Sequence, residues 1–171
     1  MRACLGHVAA GLELAEQVAR GEMPTPDYLF VPLGSMGTAA GLLVGCRLAG
    51  LRCRLVGVAT YSRWFCTAGR WAATARRVLR FMRRRDPTVP NIDIHRHDVD
   101  VVTTALGRGY AHETEAAQRV GREMAELEGL ATDGTYTAKT LVGMLDYARI
   151  SRAEKAASVY WHTYQPRNVT D

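Results

Sequence analysis

The chain has 171 residues, 47% of them hydrophobic and 23% charged, with a formal net charge of +5. That length suits one domain with a well-buried core. No apolar stretch is long and pure enough to span a membrane, and the start lacks the basic and apolar runs of a signal peptide, so a cytoplasmic protein is the expectation.

The elements are taken in chain order. Gly6 to Arg20 is amphipathic, with Val8, Leu12, Ala15 and Val18 on one helical face, and the segment from Gly21 to Pro26 breaks it. Tyr28 to Leu33 is an apolar run that reads as a buried strand. Gly34-Ser35-Met36-Gly37-Thr38 follows as a turn, Gly41 to Gly50 as a helix, and Cys53 to Thr60 as the next strand. A helix over Ala68 to Arg85 places Trp71, Ala75, Val78, Leu79 and Met82 inward and its arginines outward, and Asp86 to Pro90 ends it. Val99 to Val102 reads as a short strand. Glu113 to Glu128 reads as a charged helix capped by Thr114 or Glu113. Leu130 to Asp133 reads as a short buried segment. Tyr136 to Ile150 reads as a helix with Leu141, Met144 and Leu145 inward, and Ala156 to Thr163 as a last strand. Strands separated by helices predict a single α/β domain over residues 1–171, a mostly parallel sheet with helices on both faces. Ligands in such sheets sit at the carboxyl ends of strands, where the turn 34–38 and the residues after Asp133 and His162 would lie.

A strand, a glycine-bearing turn and a helix in that order form an anion cradle. Glycine lets the backbone approach a ligand, free N–H groups and the helix dipole favour a phosphate, and Ser35 and Thr38 add hydroxyl donors. A plain βα turn without a ligand has the same sequence. The turn is not a dinucleotide fingerprint, because Tyr61-Ser62-Arg63 and not an acidic residue follows the next strand. It is not a P-loop, because no Gly-Lys-Ser/Thr follows. One compact phosphate, as on a small cofactor, fits better than a nucleotide.

Other groups read more plainly. Cys4, Cys46, Cys53 and Cys66 form no C-x-x-C pair and read as reduced packing residues. The arginines from Arg70 to Arg85 read as a solvated face, with a nucleic-acid surface as the weaker alternative. His95 and His97 with Asp98 share a face if extended, but no third cluster joins them, so no metal site is expected. His162 reads as a satisfied histidine at the end of the last strand.

Several segments together resemble one family. Gly34-Ser-Met-Gly-Thr-Ala-Ala-Gly41 resembles the phosphate loop of pyridoxal-phosphate enzymes of fold type II. Within that fold the chain resembles the aminocyclopropane-carboxylate deaminase / D-cysteine desulfhydrase family. Gly109-Tyr110 with Glu113-x-Glu115 resembles its Gly-Tyr-Gly segment and following helix. The stretch from Glu128 through Asp133-Gly134-Thr135-Tyr136-Thr137 to Lys139 resembles Glu-Gly-x-x-x-Asp-Pro-Val-Tyr-Thr-Gly-Lys. Val159-Tyr-Trp-His162-Thr163 resembles the family's final strand. The similarity runs in order from about Gly6 to Thr163.

The resemblance implies pyridoxal 5'-phosphate as cofactor and a small amino acid as substrate, deaminated or cleaved with release of ammonia. It implies that Ser35, Met36, Gly37 and Thr38 hold the cofactor phosphate, that Thr137 faces the pyridine nitrogen, and that Tyr136 and Tyr110 are catalytic phenols able to move a proton. It also implies a homodimer for the full-length form. There are three departures. Gly134 stands where the family has proline. Tyr164-Gln165 stand where it has Gly-Gly. The lysine that carries the cofactor lies in an N-terminal half with no counterpart here, and Lys139 and Lys155, the only lysines, do not match it. The chain thus resembles the C-terminal half of such an enzyme, to be completed by a missing N-terminal half or a complementary chain. The alternative is a non-catalytic remnant that binds a phosphate ligand or a partner.

Overall fold

The computed structural model describes residues 2–164. In chain order the elements are α1 (Arg2–Ala19), β1 (Tyr28–Leu33), α2 (Gly37–Leu48), β2 (Arg54–Ala59), α3 (Ala68–Arg83), a short 3-10 turn (Arg96–Asp98), β3 (Val99–Val102), α4 (Glu115–Glu128), α5 (Thr137–Ser151) and β4 (Ser158–Tyr160). The four strands form one parallel sheet in the order β3-β2-β1-β4. β1 and β2 are buried on both faces, as an apolar run without alternation requires in a parallel sheet.

The two sheet faces carry different helices. Leu29, Val31 and Leu33 of β1, with Leu55 and Ala59 of β2, join the large core built with α1, α2 and α3. Gly57 of β2 leaves room for Trp71 of α3, whose ring atom would lie 2.7 Å from a Cβ there. On the opposite face Val58 packs with Ala138 and Val142 of α5 and Ala117 of α4. Gly143 lets α5 descend onto Val58, since a Cβ would meet its methyls at 2.6 Å. Phe30 and Tyr28 stack edge-on against Tyr147 of α5, with centroids 5.6 and 5.4 Å apart.

The chain runs outward from β1 to β2 to β3 and then returns through α5 to place β4 on the other side of β1. The winding direction therefore changes between β1 and β4. A crevice opens at the carboxyl ends of strands at such a switch point, and this is where ligands of open α/β sheets bind.

Four expectations are corrected. α1 buries Cys4, Val8, Gly11 and Leu14, while Leu12, Ala15 and Val18 are only partly covered. The reason is its close crossing of α2: a Cβ on Gly11 would lie 3.0 Å from the Cys46 amide, and one on Gly45 would overlap the Val8 carbonyl. Glycines, which a hydrophobicity pattern ignores, set the contact line. Leu130–Asp133 is not a buried segment. It is an open connection with Leu130 44% exposed, because α4 ends at Gly129 in a left-handed cap (φ 67°) that turns the chain outward. Leu145 is 55% exposed, since α5 buries only its first two turns on the sheet. The last strand is three residues long, Ser158–Tyr160, paired to β1 alone at the sheet edge. Elsewhere α3 buries Trp71, Ala75, Val78 and Leu79 as its pattern predicts, and Thr114, not Glu113, caps α4 by accepting from the Ala117 amide.

Candidate functional site

The turn after β1 is built around one strained residue. Met36 takes a left-handed conformation, φ 70° and ψ 0°, and is buried at 4% exposure. A non-glycine residue there costs on the order of 1 kcal/mol and persists only when its surroundings enforce it. It is the N-cap of α2, and no side chain caps that end, so the first amide N–H groups of α2 face the crevice without an internal partner. By contrast Thr67 caps α3 and Thr114 caps α4. The base of the turn is fixed by the Leu33 carbonyl, which accepts from the Thr60 amide at 3.1 Å, the Thr60 hydroxyl at 3.3 Å and the Cys66 thiol at 2.9 Å.

Two adjoining clefts share Gly34, Ser35 and Tyr136. One, of about 310 Å³, is lined by Pro32, Gly34 through Thr38, Tyr136 and Thr163. It lies between the ends of β1 and β4, at the switch point. The other, of about 420 Å³, is walled by the aromatic side chains of Tyr61, Phe65, Tyr110 and Tyr136. Tyr136 stands between them. Its ring lies on the backbone of Gly34, where a Cβ would approach its Cε1 to 3.1 Å. Gly34 is thus a site residue, needed for close approach of a ring. At Gly37, by contrast, a Cβ would meet no protein atom nearer than the Cys4 thiol at 3.7 Å. The fold itself leaves room for a side chain at Gly37, so any demand for glycine there comes from a ligand.

Asp133 organises the start of α5. Its carboxylate accepts from the backbone amides of Thr135, Tyr136 and Thr137 at 2.9, 2.7 and 3.1 Å, and from the Thr137 hydroxyl at 2.8 Å. Burial alone would raise its pKa, but these hydrogen bonds outweigh it and hold the carboxyl below the usual range. Thr137 is fully buried, with its hydroxyl engaged by Asp133, and it lines neither cleft. Asp133 therefore fixes Tyr136 through its amide. Gly134 has a local reason: the Glu113 carboxylate occupies the space a Cβ would need.

Tyr110 sits on the loop between β3 and α4, which passes through left-handed backbone at Gly107 (φ 59°), Gly109 (φ 113°) and Ala111 (φ 59°). Lys139 holds this loop. The lysine is fully buried, and its Nζ donates to the Leu106 carbonyl at 3.0 Å and the Gly109 carbonyl at 2.8 Å. Burial lowers its pKa, partly offset by the Glu113 carboxylate. The rings of Tyr110 and Tyr136 meet edge-on at 5.9 Å, and Tyr61 lies 5.7 Å from Tyr110. The Tyr136 phenol is pushed up to about 12, first by hydrogen bonding to the Tyr110 hydroxyl and then by burial.

Of the residues singled out from sequence, the fold brings Ser35, Met36, Gly37, Thr38 and Tyr136 to one cleft and Tyr110 to its neighbour. Gly34, Tyr61, Phe65 and Thr163 belong to the same place. Position after a strand end was the available signal for Tyr61 and Thr163, and nothing local marked Phe65. His95 and His97 stack on each other with centroids 4.9 Å apart, beside β3. Among the described residues, no group of three or more His, Cys, Asp or Glu is placed to hold a metal ion. His162 bonds the Ala131 carbonyl through Nε2 at 2.9 Å and so ties the end of β4 to the α4–α5 connection. The four cysteines are free and buried.

Residues 2–163 match the family described as PALP, pyridoxal-phosphate dependent enzyme. The chain belongs to that family. Pyridoxal phosphate is the family's cofactor. No curated protein matches the sequence. Among solved structures, one described as an ACC deaminase homologue aligns with 21% identity and a TM-score of 0.66, covering 92% of this chain and 43% of its own. A threonine deaminase from T.th. aligns with 18% identity and a TM-score of 0.47, covering 94% of this chain and 57% of its own. The first likeness shows the fold, an α/β arrangement on a parallel sheet. The chain spans less than half the length of that structure. No helix among the described residues is long and apolar enough to cross a membrane.

The cofactor's two ends fit this chain differently. An uncapped helix start with Ser35 and Thr38 beside it suits a phosphate. Among the described residues, no lysine amine lies at the crevice to bind an aldehyde. The Nζ of Lys139 is committed to two carbonyls, and Lys155 is exposed just before β4, at the opposite end of the strands from the turn.

Three phenols with raised pKa give the folded chain an alkaline signature. Tyr136, Tyr147 and Tyr160 are each pushed up to about 12, Tyr147 and Tyr160 chiefly by burial. The folded chain binds these protons more tightly than the unfolded one, so their stability contribution is complete below the ordinary phenol value of 10.0 and is lost as pH rises through about 12. Lys139 has the opposite sign, its folded value lying below 10.5, so it gains stability as pH rises toward that value. The three phenols outnumber it. Urea unfolding curves should show the midpoint falling steadily between pH 10.0 and about 12. A midpoint that stays flat there would mean the phenols are as free in the folded chain as in the unfolded one.

Proposed function

We propose that this chain forms the phosphate-binding and proton-moving part of a pyridoxal-phosphate-dependent deaminase or lyase acting on a small amino acid, similar to aminocyclopropane-carboxylate deaminase or D-cysteine desulfhydrase. The observation that carries the reading is the meeting, at the switch point, of an uncapped helix start with the Tyr136 phenol. In the proposed arrangement the amides at 37–38 with the Ser35 and Thr38 hydroxyls hold the phosphate. The bound cofactor supplies the electron sink that weakens bonds at the substrate Cα. Tyr136, with a phenol near 12, is protonated at neutral pH and delivers a proton toward the crevice, and Tyr110 keeps it protonated and oriented.

The covalent amine comes, in this proposal, from protein outside residues 1–171, either preceding sequence or a complementary chain. The open mouth of the site supports that reading: Tyr61 is 51% and Tyr110 47% exposed in the aromatic cleft. Residues 1–171 would then be the C-terminal, cofactor-domain half of each subunit of a cytoplasmic homodimer. The commitment of Lys139 elsewhere also favours a second reading, a non-catalytic protein that binds a phosphate ligand.

Pyridoxal phosphate added to the chain alone should shift the amide resonances of Gly37 and Thr38. Subsequent borohydride should label neither Lys139 nor Lys155 stoichiometrically. Undisturbed turn amides would remove the phosphate assignment. Clean labelling of either lysine by mass spectrometry would show that an amine within the chain suffices. Ammonia release from small amino acids once the complementary half is supplied separates the enzyme from the binder.

A further inference from the structure

We propose that His7 is a positioning residue for the phosphate turn, donating Nε2–H to the Thr38 hydroxyl oxygen so that the hydroxyl hydrogen stays free for an oxyanion. This rests on the reading of residues 34–38 as a phosphate site.

His7 lies on α1, and its Nε2 is 3.0 Å from the Thr38 Oγ1 on the first turn of α2, 31 residues away. The fold makes space for this contact. A Cβ on Gly41 would lie 2.6 Å from the His7 Cβ and 2.5 Å from the Cys4 carbonyl, so only glycine at 41 lets α1 carry the imidazole over the start of α2. The same side of the turn is met by Cys4, whose thiol is the nearest protein atom to a Cβ built on Gly37. α2 carries no titratable side chain near His7: its only ones, Cys46 and Arg47, are at the far end.

A hydroxyl has one hydrogen and two lone pairs. If Thr38 donates to His7, only lone pairs remain for the crevice, and they repel an anion. If His7 donates to Thr38, the hydrogen turns to the anion and two hydrogen bonds polarise each other in series. Burial lowers the His7 pKa, so the ring is neutral at neutral pH and carries one N–H. An occupied turn therefore selects the tautomer with the proton on Nε2, and an empty turn leaves both open.

The test uses sulfate, a dianion that does not titrate near neutrality, with the chain carrying 15N-labelled histidine at about pH 8, above the ordinary imidazole range. The five histidines are separated by identifying the signal lost in His7→Gln. Sulfate should shift the Gly37 and Thr38 amides and, at saturation, bring His7 to the Nε2–H form. His7→Leu should weaken sulfate about threefold to tenfold, the scale of one hydrogen bond. His7→Gln, whose amide can donate, should stay within about twofold of wild type. In a Thr38→Val background His7→Leu should have no further effect. An equal loss in both backgrounds would make His7 a packing residue and overturn the proposal, as would an Nδ1–H ring at saturating sulfate. If the turn amides shift and His7 does not respond, this inference falls while the phosphate reading stands. If the turn amides do not shift, both fall.

Discussion

Lys139→Met should destabilise the chain by about 3 kcal/mol and release Tyr110 from its place beside Tyr136. The lysine is fully buried and donates to the carbonyls of Leu106 and Gly109. Methionine fills similar volume without a donor, so two carbonyls lose their partner, each at a cost of about 1–3 kcal/mol. Relief from burying an ammonium offsets part of that. The loop it holds also keeps Ala111, a non-glycine residue, at φ 59°, and without the clamp that strain has less to oppose it. Chemical unfolding measures the first effect. The second has its own readout: with Tyr110 displaced, the Tyr136 phenol should fall from about 12 toward its ordinary 10.0, visible by NMR of ring-labelled tyrosine. Unchanged stability with an unchanged Tyr136 would show that the loop holds its shape without the lysine.

Much of this site could be read from the order of residues along the chain. Tyr28 to Leu33, then glycines and hydroxyls, then an apolar helix is a local pattern with a local cause, and the turn lies where the pattern puts it. The inward face of α3 follows from helical spacing alone, because Trp71, Ala75, Val78 and Leu79 form one stripe that enters the core shared with α2 and the sheet. What sequence did not reveal depends on pairs distant in the chain. Lys139 falls in a stretch that resembles the family's, but its task shows only once its Nζ is seen between the carbonyls of residues 106 and 109. His7 carries no signal of its own within the amphipathic Gly6–Arg20 segment, since its partner Thr38 lies 31 residues on. The inward face of α1 departs from its hydrophobic pattern because the α1–α2 crossing is decided by Gly11, Gly41 and Gly45, residues that carry no hydrophobic signal. Thr137 shows the converse. Its neighbours match a family pattern, but its hydroxyl is engaged by Asp133, four residues back, so the pattern alone did not say which way the side chain faces.

In the proposed assembled enzyme, Tyr136→Phe should lower kcat about 10²–10⁴-fold, the range for removing a general acid, while pyridoxal-phosphate affinity stays within about threefold. The substitution is confined to one oxygen. The ring still lies on Gly34 and the backbone amide still donates to Asp133 at 2.7 Å, so the turn and the start of α5 keep their shape. Tyr136 is the phenol that lines both the cleft at the turn and the aromatic cleft, so in the proposed reaction a proton released there reaches a substrate held between them. Tyr110 lines the aromatic cleft alone and is half exposed. Tyr110→Phe should therefore cost less in rate, and its main effect should be a lower Tyr136 pKa, since the Tyr110 hydroxyl is the first cause of the rise to about 12. That shift moves the alkaline limb of the pH–rate profile toward neutrality, which loss of packing would not do. Turnover of Tyr136→Phe within about tenfold of wild type would place the proton donor elsewhere. The candidates would then be the groups that the proposed complementary half brings to the open cleft at Tyr61 and Tyr110.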